Sequence, residues 1–380
     1  MPIHRLSSIL GISLSAVLCL MSTTACKAQP ASPQHVPAKP LNIIAPTDKS
    51  IVYTGRVSTS RGGYARYTYP GVQIRCNFTG TGIDMLMKPG SGYYMVEIDS
   101  ITPYKVLSSE EDSLVLLAHG LEPGEHSICV TSINEGVKNR PEFHGFVLDE
   151  GAKAGRRPVL PQRRLEFIGN SITCGLGNEA ESPKTEATPD VQNWYFSYDA
   201  ITARELKAQC MVVARSGIGV YRNCLGKPTG DKDVMPDLYP YVTFGSTGEK
   251  WDFTTYTPDV VCIGLGTNDT TNPSYDTELL YQGFMRLYAD VRGYYPKAKI
   301  IFLTGTMLKK DSKRLRDLCG ALNRLQRDVR AKGDKEVYRL DFTPADGSLG
   351  YGSGYHPSLR QHQLMAKELT ALIRKVTGWK

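Results

Sequence analysis

Apolar and polar positions follow two different rhythms along this chain. From residue 43 to about residue 155 they form short β-type segments: "SIVYTGRVS", "GVQIRCNFTGTGIDMLM", "YYMVEIDS", "DSLVLLAHG", "HSICVTSIN" and "EFHGFVLDE". Turn signals such as "KPGSG" and "LEPGEH" separate them at the spacing of an antiparallel sandwich. From Arg164 onward, buried strand-like runs alternate with helical stretches. The strands read as "LEFIGN", "CMVVARS", "DVVCIGLG", "KIIFLTG" and "VYRLDFT". In 276–294, Leu279, Leu280, Phe284, Leu287, Tyr288 and Val291 recur at helical spacing, and 312–331 and 358–376 carry similar stripes. Strands buried on both faces between amphipathic helices imply a parallel sheet. The expected fold is an N-terminal antiparallel β-sandwich, jelly-roll-like, over 43–158, followed by a three-layer α/β/α domain over 159–380. In such open sheets ligands meet the carboxyl ends of the strands.

The segment before residue 43 has neither rhythm. "MPIHRLSSILGISLSAVLCLMSTTACKAQ" places Arg5 before an apolar stretch from about Ile9 to Met21, then small residues, which is the pattern of an export signal over 1–28. The apolar part falls short of the roughly 20 residues of a spanning helix. Two ends compete: cleavage before Cys26, leaving that cysteine acylated as in a bacterial lipoprotein, or cleavage after Ala28. The expected location is therefore the periplasm, the outer membrane through a lipid anchor at Cys26, or the medium. Residues 29–42 carry closely spaced prolines and read as a linker.

Composition narrows the class. The chain has 380 residues, 41% of them apolar, enough for a sizeable core. Its net charge of +7 comes from Lys and Arg scattered among acids. That is a solvated surface rather than a nucleic-acid stripe. Nine cysteines show no CxxC pair and no histidine neighbour, so no metal site is implied. Cys210 and Cys262 sit in apolar runs as core thiols, while a Cys174–Cys224 disulfide stays open.

The chemistry is concentrated where strands end. "EFIGNSITCGLG" (166–177) stops a buried strand on Ser171 among small residues. A serine hydroxyl becomes a nucleophile when a base, most often histidine, takes its proton. The α/β region has only His356 and His362. His362 falls inside the last helix and reads as a helix-face residue. His356, in "GYGSGYHPS", stands in a glycine-rich loop just before that helix, whose start is marked by Pro357 and Ser358. Acyl transfer also needs donors for the developing oxyanion. Gly217 in "ARSGIGVYRN" and Asn268 in "GLGTND" end two further strands at the same sheet edge and can supply a main-chain N–H and a side-chain amide.

These blocks, "IGNSITCGLG", "SGIG", "GTND" and "YHPS", resemble the four blocks of the SGNH (GDSL-type) hydrolases. With a β-sandwich in front, plus "SITCG" and "YRN", the chain is most similar to carbohydrate esterase family 2, which removes acetyl groups from xylan and other polysaccharides. The resemblance implies Ser171 as nucleophile, His356 as base, and Gly217 and Asn268 as oxyanion donors together with the N–H of Ser171. It implies no metal or organic cofactor. Two positions depart from the pattern: Asn170 replaces the usual Asp before the serine, and Ser353 stands where a carboxylate normally precedes the histidine by three. Members of that family can work with a Ser–His dyad in which a main-chain carbonyl accepts the Nδ1 proton, and this is favoured over Asp346 of "TPADGS" folding back as the orienting acid.

Aromatic side chains supply platforms for sugar rings. Tyr355, Tyr351, Tyr221 and Trp194 are the candidates, with Trp194 equally well placed as helix core. The resulting expectation is an exported serine esterase that deacetylates an acetylated oligo- or polysaccharide. Its rivals are another acyl hydrolase on the same scaffold (a lipase or a peptidoglycan O-acetylesterase) and a glycan-binding protein with a decayed site.

Overall fold

Ten short strands occupy the first half of the described chain: β1 (Asn42–Ile44), β2 (Val52–Thr54), β3 (Ala65–Arg66), β4 (Gln73–Gly80), β5 (Ile83–Met87), β6 (Gly92–Ile98), β7 (Tyr104–Ser108), β8 (Leu114–Ala118), β9 (Gly124–Ser132) and β10 (Glu142–Leu148). They pair antiparallel into two sheets, β1-β10-β5-β8 with β3 beside β10, and β2-β4-β9-β6-β7. Strand β4 shows the cause. Ile74, Cys76 and Phe78 alternate inward with partly exposed Gln73, Arg75 and Asn77, so one face packs and the other stays wet. The inward faces of both sheets share one core containing Tyr67, Phe78, Met85, Tyr94, Phe143 and Phe146. The computed structural model describes residues 40–99, 101–244 and 248–380. The expected export segment, Cys26 and nearly all of the linker lie outside them. No helix of the described residues is long and apolar enough to cross a membrane.

The second half is a parallel sheet of β11 (Arg163–Gly169), β12 (Ala208–Ala214), β13 (Val260–Gly264), β14 (Lys299–Leu303) and β15 (Val337–Leu340), in the order β12-β11-β13-β14-β15. Among the described residues, five α-helices connect or follow these strands: α1 (Tyr198–Glu205), α2 (Met235–Leu238), α3 (Thr277–Tyr294), α4 (Lys313–Ala331) and α5 (Leu359–Thr377). The long ones start where the sequence places a cap. Asp276 accepts the N–H groups of Glu278 and Leu279, Ser312 that of Leu315, and Ser358 that of Gln361. One face of the sheet packs on α3 and α4 through Leu280, Phe284, Leu318, Leu322 and Leu325. The other packs on α1 and α5 through Tyr198, Ala203, Met365, Leu369 and Ile373.

Leu41–Lys380 forms one compact unit, and buried residues of the sandwich belong to both hydrophobic clusters of the parallel sheet. Tyr69 joins the α3/α4 side, and Met95 and Ile133 join the α1/α5 side. At their junction the Arg56 guanidinium meets the Glu166 carboxylate at 3.1 Å, both fully buried. Arg56 also donates to the carbonyls of Tyr239 and, at 3.0 Å, Tyr241. Cys76, Cys129, Cys174, Cys210, Cys224, Cys262 and Cys319 are all free thiols, so the Cys174–Cys224 disulfide does not form; Cys210 and Cys262 are in the core as expected.

Candidate active site

Strand β11 lies between β12 and β13, with Gly169 paired to both Ala214 and Gly264. The three loops that follow these strands leave the sheet side by side. After β11 the chain turns at once: Asn170 accepts from Ile172 N–H at 3.0 Å through its side chain and from Cys174 N–H at 3.0 Å through its carbonyl. Gly169 has no room for a side chain, since a Cβ there would meet Thr173 Oγ1 at 2.0 Å. The turn leaves Ser171 largely buried at the sheet edge.

His356 arrives from the opposite end of the sequence. Its Nε2 lies 2.9 Å from Ser171 Oγ, and its Nδ1 lies 2.9 Å from the main-chain oxygen of Ser353. A carbonyl oxygen only accepts, so Nδ1 carries the proton and Nε2 presents its lone pair to the serine hydroxyl. Burial pushes the imidazole below the usual histidine value of 6.5, against the Ser353 carbonyl, which raises it. The neutral, accepting form is thereby favoured.

The loop that carries His356 is fastened to the segment after Ser171. Ser353 N–H donates to Gly177 O at 2.9 Å, Gly354 N–H to Pro183 O at 2.9 Å, and Ser353 Oγ to Thr185 O at 2.6 Å. Gly177 has φ +62°, and a Cβ there would sit 2.4 Å from Ser353 Cβ. The second glycine of "GLG" therefore allows the His356 loop to close onto the serine turn.

The two expected oxyanion donors also stand at this edge. Asn268 is buried, and its Nδ2 gives one proton to Ile218 O at 2.8 Å, which fixes the amide and leaves the second proton for a ligand. Gly217 has φ +78°, yet a Cβ would find nothing closer than Cys224 Cβ at 3.9 Å. Backbone conformation, rather than lack of space, calls for glycine here. Asp269, which the sequence reading did not single out, ties the two loops together. Its Oδ1 accepts the N–H groups of Val220, Tyr221 and Arg222 at 2.9, 3.0 and 3.3 Å, while Arg222 Nε donates to Asp269 O at 2.7 Å. Burial pushes the Asp269 carboxyl up to about 6, against those three donors.

The remaining expectations divide. Asp346 does not reach the imidazole; it is engaged in its own turn, accepting from Ser348 N–H at 2.9 Å and Ser348 Oγ at 2.6 Å. Trp194 is core, 1% exposed, with its Nε1–H donated to Asp199 at 2.7 Å, so it offers no face to a sugar. Tyr221 is also buried, and its hydroxyl accepts Asp276 N–H at 2.9 Å. Tyr355, next to the base, is 60% exposed with φ +63°, and Tyr351 meets it edge-on at 5.4 Å. His362 is a fully buried face of α5, accepting Tyr198 N–H at 3.1 Å.

A buried serine hydrogen-bonded to a neutral imidazole, at the carboxyl edge of a parallel sheet and behind a β-sandwich, defines a class of hydrolase scaffold. Comparison with known proteins gives the family. The Carbohydrate esterase 2 N-terminal family matches residues 53–158, and the GDSL-like Lipase/Acylhydrolase family matches residues 167–364. A cellulase/esterase (CelE) of Acetivibrio thermocellus is 37% identical over 333 residues, 87% of this chain and 40% of the relative's own length. An acetylxylan esterase/glucomannan deacetylase of Cellvibrio japonicus is 27% identical over 88% of this chain and 91% of its own. Among solved structures, a family two carbohydrate esterase from Clostridium thermocellum in complex with cellohexaose superposes with a TM-score of 0.80 at 35% identity, covering 87% of this chain and all of that one. The chain belongs to the family two carbohydrate esterases and carries their GDSL-like hydrolase domain.

Proposed function

We propose that this protein is a serine esterase that removes O-acetyl groups from carbohydrate. Ser171 Oγ attacks the ester carbonyl while His356 Nε2 takes its proton. The oxyanion is met by the N–H groups of Ser171 and Gly217 and by the Asn268 amide. The tetrahedral intermediate collapses as His356 returns the proton to the departing sugar hydroxyl, leaving acetyl-Ser171. Water then attacks with His356 again as base, and acetate leaves. The observation that carries this reading is the placement of His356 between Ser353 O and Ser171 Oγ, at 2.9 Å from each. It supports a Ser–His dyad whose orienting group is a main-chain carbonyl.

The relatives support the substrate class: one is named an acetylxylan esterase/glucomannan deacetylase, and another was solved with cellohexaose. Tyr355, exposed beside the base with Tyr351 against it, is the platform for a sugar ring. The substrate is an acetylated oligo- or polysaccharide outside the cytoplasm, reached by export and, where Cys26 is acylated, from a lipid anchor. Acetate release from acetylated xylan and glucomannan, and from aryl acetates, tests the reading beside Ser171→Ala. Rapid turnover lost in the variant is expected. A folded Ser171→Ala protein of full activity would overturn the nucleophile, and faster cleavage of long acyl chains than of acetyl would overturn the substrate class.

A further inference from the structure

The loop that carries Gly217 is held from the sandwich. Glu135, just beyond β9, accepts the Ser216 N–H on Oε1 at 2.6 Å, and its Oε2 takes the hydroxyl of the same serine. Two further groups face this carboxylate: the thiol of Cys174, three residues past Ser171, and the guanidinium of Arg215. Glu135, Ser216 and Gly217 together line part of a cleft of about 920 Å³, with the sandwich residue Tyr93 and the hydrolase residue Gln192 also on its walls.

We propose that Glu135 is a positioning residue for the esterase reaction, clamping Ser216 so that the adjoining Gly217 N–H is aimed at the oxyanion. This rests on the reaction proposed above. The argument begins with the glycine. Gly217 needs its φ of +78°, but glycine visits many conformations freely, so its own chemistry does not hold that orientation. Orientation must come from its neighbours. On the far side, Cys224 N–H donates to Gly217 O at 2.8 Å. On the near side the two-point hold of Glu135 fixes both the backbone and the side chain of Ser216, and hence the start of the peptide plane that ends in the Gly217 N–H. A donor swung away from the oxyanion loses charge stabilisation where the reaction needs it, with little effect on ground-state binding. The sandwich thereby takes part in catalysis through one carboxylate, and Glu135 does so without touching the substrate.

The test uses the full chain and an aryl acetate. Loss of one oxyanion donor costs about 100- to 1,000-fold in kcat, so Glu135→Ala, which loosens rather than removes it, is expected to lower kcat by roughly 10- to 100-fold with KM within about threefold. Glu135→Gln retains both contacts, its oxygen accepting the Ser216 N–H and its amide donating to the Ser216 hydroxyl. It is expected to stay within about threefold of wild type. Ser216→Ala removes the hydroxyl half of the clamp and is expected to lower kcat by several-fold. Unchanged kcat in folded Glu135→Ala overturns the proposal, as does an effect confined to KM or a Gln variant as poor as the Ala one. Should Glu135→Ala fail to fold, Ser216→Ala decides, and full kcat there overturns it. Ser171→Ala run in parallel separates the two levels. If it is inactive while Glu135→Ala is unimpaired, only this inference falls; if it is fully active, the proposed reaction falls too.

Discussion

His356 donates its Nδ1 proton to the main-chain oxygen of Ser353, three residues earlier in its own loop, at 2.9 Å. This is the position where a carboxylate side chain normally sits in the hydrolases that the sequence resembles, and here the same residue answers with its backbone. The Ser353 side chain is engaged elsewhere, donating to Thr185 O at 2.6 Å. Ser353→Ala should therefore leave the orientation of the imidazole intact and keep kcat on an aryl acetate within about fivefold. His356→Ala should lose at least ~1,000-fold. A Ser353→Ala variant as inactive as His356→Ala would show that the hydroxyl, rather than the carbonyl, sets the base.

The pH profile follows from the same contact. A protonated Nε2 cannot accept from Ser171, so the proposed reaction requires neutral His356. Burial holds its value below 6.5, and the neutral form therefore persists to lower pH than for a free histidine. The acid limb of kcat/KM is expected to bend below pH 6.5, with activity rising as pH climbs through that bend. A limb centred at pH 7 or above would contradict the site as described.

How much of this was legible in the sequence depends on how local each feature is. The amphipathic stripes fixed α3, α4 and α5 almost to their ends because capping residues stand beside them: Asp276, Ser312 and Ser358. Ser171, Gly217, Asn268 and His356 were readable because each follows a strand or precedes a helix at one edge of the sheet. Two of the four aromatics were not. Trp194 and Tyr221 have the composition of a platform, and only packing shows that their polar atoms already serve Asp199 and Asp276. Asp346 lay close in sequence to His356, but a loop Asp followed by a serine two residues later caps its own turn more readily than it reaches across. Glu135 gave no local sign at all, because its partner is 81 residues away.

Asp269 joins the loops that carry Gly217 and Asn268, and its two oxygens differ. Oδ1 takes three N–H groups, whereas the buried Oδ2 has no hydrogen-bond partner among the described residues. Asp269→Asn keeps the acceptor and should fold within about 1 kcal/mol of wild type, while Asp269→Ala orphans three buried donors and should cost about 2–4 kcal/mol in urea unfolding. The pH dependence has a definite sign. The folded carboxyl at about 6 holds its proton more tightly than the unfolded one at 3.8, so its contribution is present below 3.8 and is lost as pH rises through 6. Asp269→Asn should remove that slope. An Asn variant that keeps it would assign the slope to other groups.

Tyr355 is held with φ +63° while 60% exposed. A bulky residue in the left-handed region costs about 1–2 kcal/mol, and such strain is retained where function needs the side chain. Tyr355→Gly should accordingly raise stability by about 1 kcal/mol and raise KM for the acetylated polysaccharide roughly tenfold, leaving an aryl acetate nearly untouched. Unchanged KM on the polymer would remove Tyr355 from the carbohydrate surface.

The Arg56–Glu166 pair separates two sources of coupling between the halves, a buried ion pair and a continuous apolar core. Both side chains are fully buried, and the guanidinium lies 4.8 Å from the Tyr239 ring and 5.2 Å from that of Phe253, so its charge is compensated from several sides. Removing one partner strands the other. Arg56→Met leaves the Glu166 carboxylate buried without its cation, with the Tyr239 hydroxyl donating to it at 3.1 Å, and should cost about 3–5 kcal/mol. Replacing both, as Arg56→Met with Glu166→Leu, removes the desolvated charges as well and should recover most of that loss. Calorimetry is the measurement. Wild type is expected to melt in a single transition because the cores on both sides of this pair are continuous, with Tyr69, Met95 and Ile133 reaching from the sandwich into the clusters around the parallel sheet. Arg56→Met should lower that one transition. Two separated transitions in Arg56→Met would mean that the ion pair itself, and not the apolar contact, couples the sandwich to the hydrolase, and then the double variant would melt in two steps as well.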